Sequence, residues 1–498
     1  MDVIQQSFVI PVSDFLWNYV LVYVLIGAGL YFGIRTRFVQ LRLFPAMIRS
    51  LTTSRSSEGG ISPFQAFCIG LSSRVGTGNI TGVAIALTLG GPGAIFWMWV
   101  VALIGMATAF VEATLAQVFK TRSPDGTTFV GGPAYYIQRG LKTRVGGIVF
   151  AVLLIFTFGV AFSMVQANTI ADVVKNGDSL STSAIAVVLV LITAPILFGG
   201  LKRVAKVAEV VLPVMALSYI GLALVVVVLN ADRIVEVLGW IVQSAFGLNE
   251  ALAGTAGGIA AALLNGTKRG LFSNEAGLGS APNTAATATT AHPVNQGFIQ
   301  SLGVFVDTIL ICSATAFIIM ASGVYTPGGT DSAVGASLTR SAFVASLGDW
   351  SAVVLTVLIF TFAFTSIIGN YAYVEVNVDY LGGGRRALTL VRLMVLASIA
   401  TGAVIALDLV WQLADVAMGV MALANLLAIT LLAGFATATL RDWERQRAAG
   451  VTEPHFVAAE ASLPRQILGN VWLPGGTPVP SHRGTGGATR EVVGATEE

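Results

Sequence analysis

The sequence predicts an all-α polytopic membrane protein of about eleven transmembrane helices, built as a five-plus-five inverted repeat whose second and seventh spans are discontinuous. Three observations predict it. Of 498 residues, 55% are hydrophobic and only 11% charged, less than half the roughly 25% of an average soluble domain; mean hydropathy is +0.80. Apolar runs able to cross a hydrocarbon core of ~30 Å, which takes roughly 20 helical residues, recur as far as about residue 440. Two of those runs, five apart, are interrupted by glycine and polar residues.

The same arithmetic excludes other classes. A net charge of +2 on this length builds no electrostatic footprint for nucleic acid. Cys68 and Cys312 are single residues in apolar stretches, expected as buried thiols rather than a disulfide. His292, His455 and His482 provide no metal-ligand spacing.

In chain order the apolar runs lie near 14–34, 61–89, 92–119, 145–174, 183–200, 207–229, 250–290, 297–322, 350–379, 390–407 and 411–440. The start of the chain lacks the basic residues and short apolar core of a cleaved signal, so the first span is expected to be retained. Basic residues alternate in number between successive connections. Arg35 to Arg55, Lys120 to Arg144, Lys202 to Lys206 and Arg385 to Arg392 fall on one side, against Lys175, Arg233 and Arg340 on the other. The positive-inside rule then places the N-terminus outside and the C-terminus in the cytoplasm, in the cell (inner) membrane. The reading divides the chain into a transmembrane domain, 1–440, with repeats at about 61–229 and 250–440. Residues 441–498, rich in Gly, Pro, Thr, Arg and Glu, are expected as a largely disordered cytoplasmic tail.

The second span carries Gly70-Leu71-Ser72-Ser73-Arg74-Val75-Gly76-Thr77-Gly78-Asn79-Ile80-Thr81-Gly82. Four glycines, four hydroxyl side chains and an arginine make poor continuous helix. Non-helical backbone at bilayer depth is tolerated only where it is buried in protein or lines a cavity. The helix is therefore expected to unwind around Gly76 to Gly78 and restart at Asn79. The seventh span is interrupted in the same way from Asn265 to Pro282. Small residues in membrane helices often serve close packing alone, the reading given to Gly254, Gly257 and Gly258. Paired interruptions at equivalent repeat positions point instead to a transporter site at the midplane.

An unwound segment presents N–H groups at one half-helix and C=O groups at the other. The N–H end suits a carboxylate, so Thr77, Gly78 and Asn79 are candidates for an anionic substrate group. The C=O end suits a hard monovalent cation. In the ninth span Thr365 and Ser366 are neutral oxygen donors, although such residues also bond back to their own helix. Gln166 and Asn168 are amides in an apolar run, either cavity-lining or interhelical glue. Tyr135 and Tyr136 read as interfacial anchors. Arg74 and Glu275, one in each broken helix, are candidates for a gate or coupling pair. Lys268 and Arg269 are expected at the cytoplasmic mouth. Glu112, Asp307 and Glu375 are proton carriers or ordinary hydrogen-bonded partners. There is no nucleophile–base pair or phosphate-cradling loop, so an enzyme reading finds no support.

Gly76-Thr77-Gly78-Asn79-Ile80, Gly91-Pro92-Gly93-Ala94-Ile95-Phe96-Trp97-Met98-Trp99, Gly131-Gly132-Pro133-Ala134-Tyr135-Tyr136 and Arg269 to Gly277 resemble the alanine or glycine:cation symporter family. The resemblance extends from the first span to about Leu440. It implies a LeuT-type fold of eleven helices that imports a small neutral amino acid with sodium and needs no cofactor. It carries substrate binding to Thr77, Gly78, Asn79, Gln166, Phe272, Ser273 and Asn274. A LeuT-like cation site is implied at carbonyls near Ser72 and Val75 with the hydroxyls of Thr365 and Ser366. Alanine-taking relatives often have tryptophan where this chain has Asn370. An amide there implies a roomier, more polar pocket that admits glutamine as well as alanine or glycine. The implied partners are a small neutral amino acid, sodium and membrane lipid. The alternatives are a proton-coupled symporter using Glu275 or Glu112, and a transporter-like nutrient sensor.

Overall fold

Long apolar stretches with few helix breakers leave the backbone one economical way to satisfy its hydrogen bonds, within helices. The computed structural model describes residues 5–53, 61–123, 126, 128–175, 181–247, 258–326, 335–467 and 471–473, and it is almost entirely helical. Among the described residues, seven helices are long and apolar enough to cross a membrane. These are α1 (Gln5–Arg35), α5 (Gly93–Val118), α7 (Arg144–Lys175), α9 (Gly200–Leu229), α13 (Pro293–Ala321), α15 (Trp350–Tyr380) and α17 (Leu407–Ala448).

Four of the eleven expected runs are not single long apolar helices. The second is α3 (Pro63–Arg74) and α4 (Gly78–Gly90), and the seventh α11 (Gly258–Asn274) and α12 (Ala281–Thr287). The fifth is α8 (Thr182–Leu197), only 16 residues long. The tenth is α16 (Arg385–Gly402), which carries Arg385, Arg386 and Arg392. Connections between the expected runs contain the shorter helices α2 (Phe44–Thr53), α6 (Pro133–Leu141), α10 (Ile234–Ala245) and α14 (Ala336–Leu347). A two-residue hairpin, Thr121–Arg122 with Phe129–Val130, precedes α6.

Each break has a local cause. A capping box at Ser62 and Gln65, with Pro63 in the first turn, starts α3. Val75 leaves the helix at ψ 87, and the chain re-enters it at Gly78 through a π-turn, Gly78–Gly82. In the seventh span Glu275, Gly277 and Gly279 have positive φ, and Pro282 restarts the helix in the first turn of α12. α5 packs along α11 and α13, while α15 packs against α3, α7 and α9. Both breaks are thus held by uninterrupted helices. Gly254 and Gly257 lie outside the described residues. Gly258 has open space where a Cβ would sit, so the close-packing reading does not apply to it.

Beyond Leu440 the chain does not immediately become a loose tail. α17 continues to Ala448, and Arg42 pairs with Glu444 at 2.5 Å. The segment after it folds back: Phe456 N–H donates to the Ala291 carbonyl and Trp472 Nε1 to that of Gln117. Phe456 and Trp472 stack edge to face and are buried. Few apolar residues are needed for such a strap, which is why composition missed it; residues 474–498 lie outside the described part. Trp472 also covers Lys120, which is fully buried, donates to the Ala288 carbonyl at 3.0 Å and lies 4.2 Å and 4.5 Å from the rings of Phe129 and Trp472. Burial pushes this ammonium well below the usual lysine range. Replacing Trp472 by Ala should lower unfolding stability in detergent by about 3 kcal/mol, read by thermal denaturation. An unchanged midpoint would mean the strap contributes nothing.

Candidate functional site

The two breaks meet. A Cβ at Gly78 would stand 3.0 Å from Phe272 Cδ1 and 3.1 Å from Ser273 Cα, so the absence of a side chain lets the restarting α4 lie against the last turn of α11. Gly76 is equally confined, since a Cβ there would overlap the Ser366 hydroxyl. The expected substrate residues Thr77, Gly78, Asn79, Gln166, Phe272, Ser273 and Asn274 are all buried around this junction.

Their hydrogen bonds are specific. Gln166 Oε1 accepts from Thr77 N–H at 3.2 Å, so this amide meets the break in the second span. Asn79 Oδ1 accepts from Gly76 N–H at 2.9 Å, and Asn79 N–H closes a turn on the Gly76 carbonyl at 3.3 Å. Asn274 Oδ1 accepts from Ala276 N–H, and its amide reaches Thr308. Asn168, by contrast, bonds the Gly402 and Ile405 carbonyls and ties α7 to α16. Thr77 Oγ1, Asn370 Nδ2 and Trp411 Nε1 are buried without a partner. Buried polar atoms seldom stay unpaired unless a ligand or water serves them.

The expected cation ligands are partly brought together. Ser366 Oγ lies 3.0 Å from the Ser72 carbonyl and 3.4 Å from that of Val75, sharing its proton with the Phe362 carbonyl of its own helix, also at 3.0 Å. Thr365 bonds back to the Thr361 and Phe362 carbonyls and reaches Met215 Sδ, so its hydroxyl is turned away from Ser72 and Val75. Asn370, one helical turn beyond Ser366, accepts from Ser73, whose hydroxyl also reaches Glu275.

The charged groups depart from expectation. Arg74 and Glu275 form no ion pair: Arg74 donates to the Gln300 carbonyl, and Glu275 accepts from Ser73 and Ser280. Glu112 accepts from Gly277 N–H and from Asn425, fastening the seventh-span break to α17. Glu375 reaches the Leu201 amide and the Arg392 guanidinium. Tyr135 packs on Tyr380, whereas Tyr136 is no interfacial anchor: it is fully buried and donates to Asn425. Lys268, expected with Arg269 at the cytoplasmic mouth, lies near Ser13 and Trp17 of the first helix. Asp415, unnoticed in the sequence, pairs with both, Arg269 doubly at 2.6 Å and 2.7 Å and Lys268 at 2.9 Å.

A cavity of about 410 Å3 opens beside that pair, lined by Ile85, Thr88, Arg269, Trp411 and Asp415 among others. Beneath it Phe272 lies between Trp411 and Phe162, with ring centroids 4.6 Å and 4.5 Å away. Trp411 and Phe162 carry no local signal, because aromatics are ordinary in apolar helices. Asp307, read in the sequence as a carrier or a helix partner, is also central: Asn79, Ser273 and Thr308 all donate to its carboxylate. Cys312, expected as a small hydrophobe, touches the same cluster through Ser273 and Asn79.

Residues 1–458 match the sodium:alanine symporter family. The amino-acid carrier protein AlsT of Bacillus subtilis is 48% identical over 446 residues, 90% of this chain and 93% of that protein. A probable sodium/glutamine symporter of the same organism, GlnT, is 46% identical over 453 residues, 90% and 93% of the two chains. The sodium/alanine symporter AgcS of Methanococcus maripaludis is 38% identical over 436 residues, 86% and 95%.

Proposed function

The chain belongs to the sodium:alanine symporter family, and from that premise we propose that it imports a small neutral amino acid with sodium by alternating access. It is a multi-pass membrane symporter and not an enzyme. The observation that carries the reading is the contact between the two helix breaks at Gly78 and Ser273, where buried polar atoms of neighbouring helices are left without partners.

The amino acid's carboxylate goes to the amide end of α4 at Gly78 and Asn79, and Phe272 limits its side chain. Sodium takes the Ser72 and Val75 carbonyls with the Ser366 hydroxyl, and Thr365 joins after a rotation about its side-chain bond. The arrangement is a LeuT-type inverted repeat, supported by helix breaks in the second and seventh runs. The N-terminus lies outside the cell (inner) membrane and the C-terminus in the cytoplasm, supported by the alternation of basic connections. In this orientation the 410 Å3 cavity is the outer vestibule. The Trp411–Phe272–Phe162 stack separates it from the site, and the strap carrying Trp472 covers the inner end.

Alanine, glycine and glutamine are the proposed substrates. The similarity to a protein named for glutamine and the amide at Asn370 favour including the larger one. A charge entering down ~100 mV gains about 2.3 kcal/mol, and a tenfold sodium gradient adds about 1.4 kcal/mol. Together they sustain a substrate gradient of several hundredfold. Labelled alanine, glycine and glutamine should accumulate in proteoliposomes only when sodium is driven inward. Accumulation that needs a proton gradient instead would transfer coupling to a buried carboxylate, and saturable binding without accumulation would make the protein a sensor.

A further inference from the structure

The connection from α5 to α7 leaves a polar cleft of about 470 Å3 against the end of α15. Arg122 of the hairpin, Arg139 of α6 and Arg144 at the start of α7 line it, with Tyr135, Asp379 and Tyr380. Asp379 is the one acid among the described lining residues. It offsets one arginine, so two positive charges remain. Arg139 is anchored, because its Nη1 donates to the carbonyls of Phe119 and Lys120, each at 3.2 Å. Arg122 and Arg144 are exposed. The amide end of α7 begins at Arg144 and adds a fixed positive dipole. Guanidinium groups gathered in this way suit phosphate, whose oxygens match their planar fork of donors. The cleft is separate from the substrate junction: Asp379 lies about 20 Å along α15 from Ser366.

The surface next to the cleft says what carries the phosphate. Val145, Ile148, Val149 and Val152 are exposed on α7, at the spacing of one helix face. That face begins at the residue after Arg144, within a membrane span, so the arginines stand at the head of an apolar stripe. A free phosphate would engage the arginines alone. A phospholipid engages both, and one with net negative charge gains from the two surplus cations. The cleft also joins three elements. A Cβ at Gly147 would overlap the Tyr380 hydroxyl and stand 2.8 Å from the Ala134 carbonyl, so the first turn of α7 lies directly on α6 and α15. Tyr135 of α6 and Tyr380 of α15 meet edge to face, with centroids 4.9 Å apart. We infer that this cleft holds the headgroup of an anionic phospholipid, its phosphate on Arg122, Arg139 and Arg144 and its acyl chains along α7, and that the lipid clamps α7 to α15. In the orientation proposed above, the lipid belongs to the cytoplasmic leaflet. The clamp bears on the substrate junction from a distance, since α7 carries Gln166 and α15 carries Ser366 and Asn370.

The full chain, delipidated in detergent, is titrated with phosphatidylglycerol while its thermal denaturation midpoint is followed. The midpoint should rise and saturate, as it does for a ligand of the folded state. Phosphatidylcholine with the same acyl chains should need at least tenfold more lipid for the same rise. Arg122→Gln combined with Arg144→Gln removes two exposed charges. It should raise half-saturating phosphatidylglycerol about thirtyfold, or about fivefold for each basic residue at a membrane surface. Arg385→Gln combined with Arg386→Gln, equally exposed at the start of α16 and outside the cleft, should stay within twofold of the wild type. Equal weakening in the two double variants would mean a general attraction to anionic lipid and overturns the inference. Equal stabilisation of the wild type by phosphatidylcholine overturns it too, with no variant needed. Glycerol phosphate that reproduced the shift at the same concentrations would make the cleft a site for a free anion and overturn the lipid assignment.

Discussion

Gly78→Val should abolish amino-acid uptake, by a hundredfold or more, while the protein still reaches the membrane. The position has no room. The first carbon of any side chain would stand 3.0 Å from Phe272 Cδ1 and 3.1 Å from Ser273 Cα. The phenyl ring has little freedom to yield, because it is stacked between Phe162 and Trp411, and Ser273 Cα is backbone. Overpacking of this kind costs about 1–3 kcal/mol, little enough for a chain of this size to stay folded. What changes is the separation of the two broken helices. Pushing them apart breaks the Asn79–Ser273 contact at 3.0 Å and misaligns the amides that would hold the substrate carboxylate. A misplacement of about 1 Å is enough to cost a hundredfold. Gly78→Ala, with one carbon instead of three, should retain measurable uptake at a raised KM. Uptake assays paired with quantification of membrane protein decide the matter. Normal transport by the valine variant would remove this junction from the mechanism.

That junction was legible because its residues are out of place. Glycines and hydroxyls at mid-span have no reason to be in an apolar run, and composition alone exposes them at Gly76 to Gly78 and Glu275 to Gly279. The lengths of α5, α7, α13 and α15 were legible for the opposite reason, being uniformly apolar between breaks. Asp307 looked like Glu112 and Glu375: one acid in an apolar helix. Only packing tells them apart, since Glu112 caps the backbone at Gly277 whereas Asp307 gathers side chains from both broken helices. Thr365 and Ser366 are neighbours of the same type, and only helix rotation separates their roles. Both bond back to their own helix, but Ser366 also reaches across to the Ser72 carbonyl of α3. The strap was hidden because Phe456 and Trp472 lie in a stretch whose average composition reads as unstructured.

Asp415→Asn should be the most destabilising single change at the cavity mouth. The carboxylate is nearly inaccessible, with 4% of its side chain exposed, as is that of Arg269, while Lys268 keeps 15%. One acid therefore offsets two cations, and Arg269 has two further nitrogens without a partner, Nε and Nη1. Removing the charge leaves both cations uncompensated in a poorly hydrated place, a situation that costs about 3–5 kcal/mol for a buried pair. The guanidinium also lies 4.7 Å from the Trp411 ring, so its displacement loosens the aromatic stack over Phe272. Two consequences separate charge from packing. Asp415→Asn combined with Arg269→Gln should recover part of the lost thermal stability, since the more deeply buried cation is gone, with a coupling of about 1–3 kcal/mol. Asp415→Glu should keep the charge and lose much less. Denaturation midpoints of the three variants in detergent measure this directly. Equal loss in Asp415→Asn and the double variant would mean that the pair is only a neighbour of the stack and not what holds it.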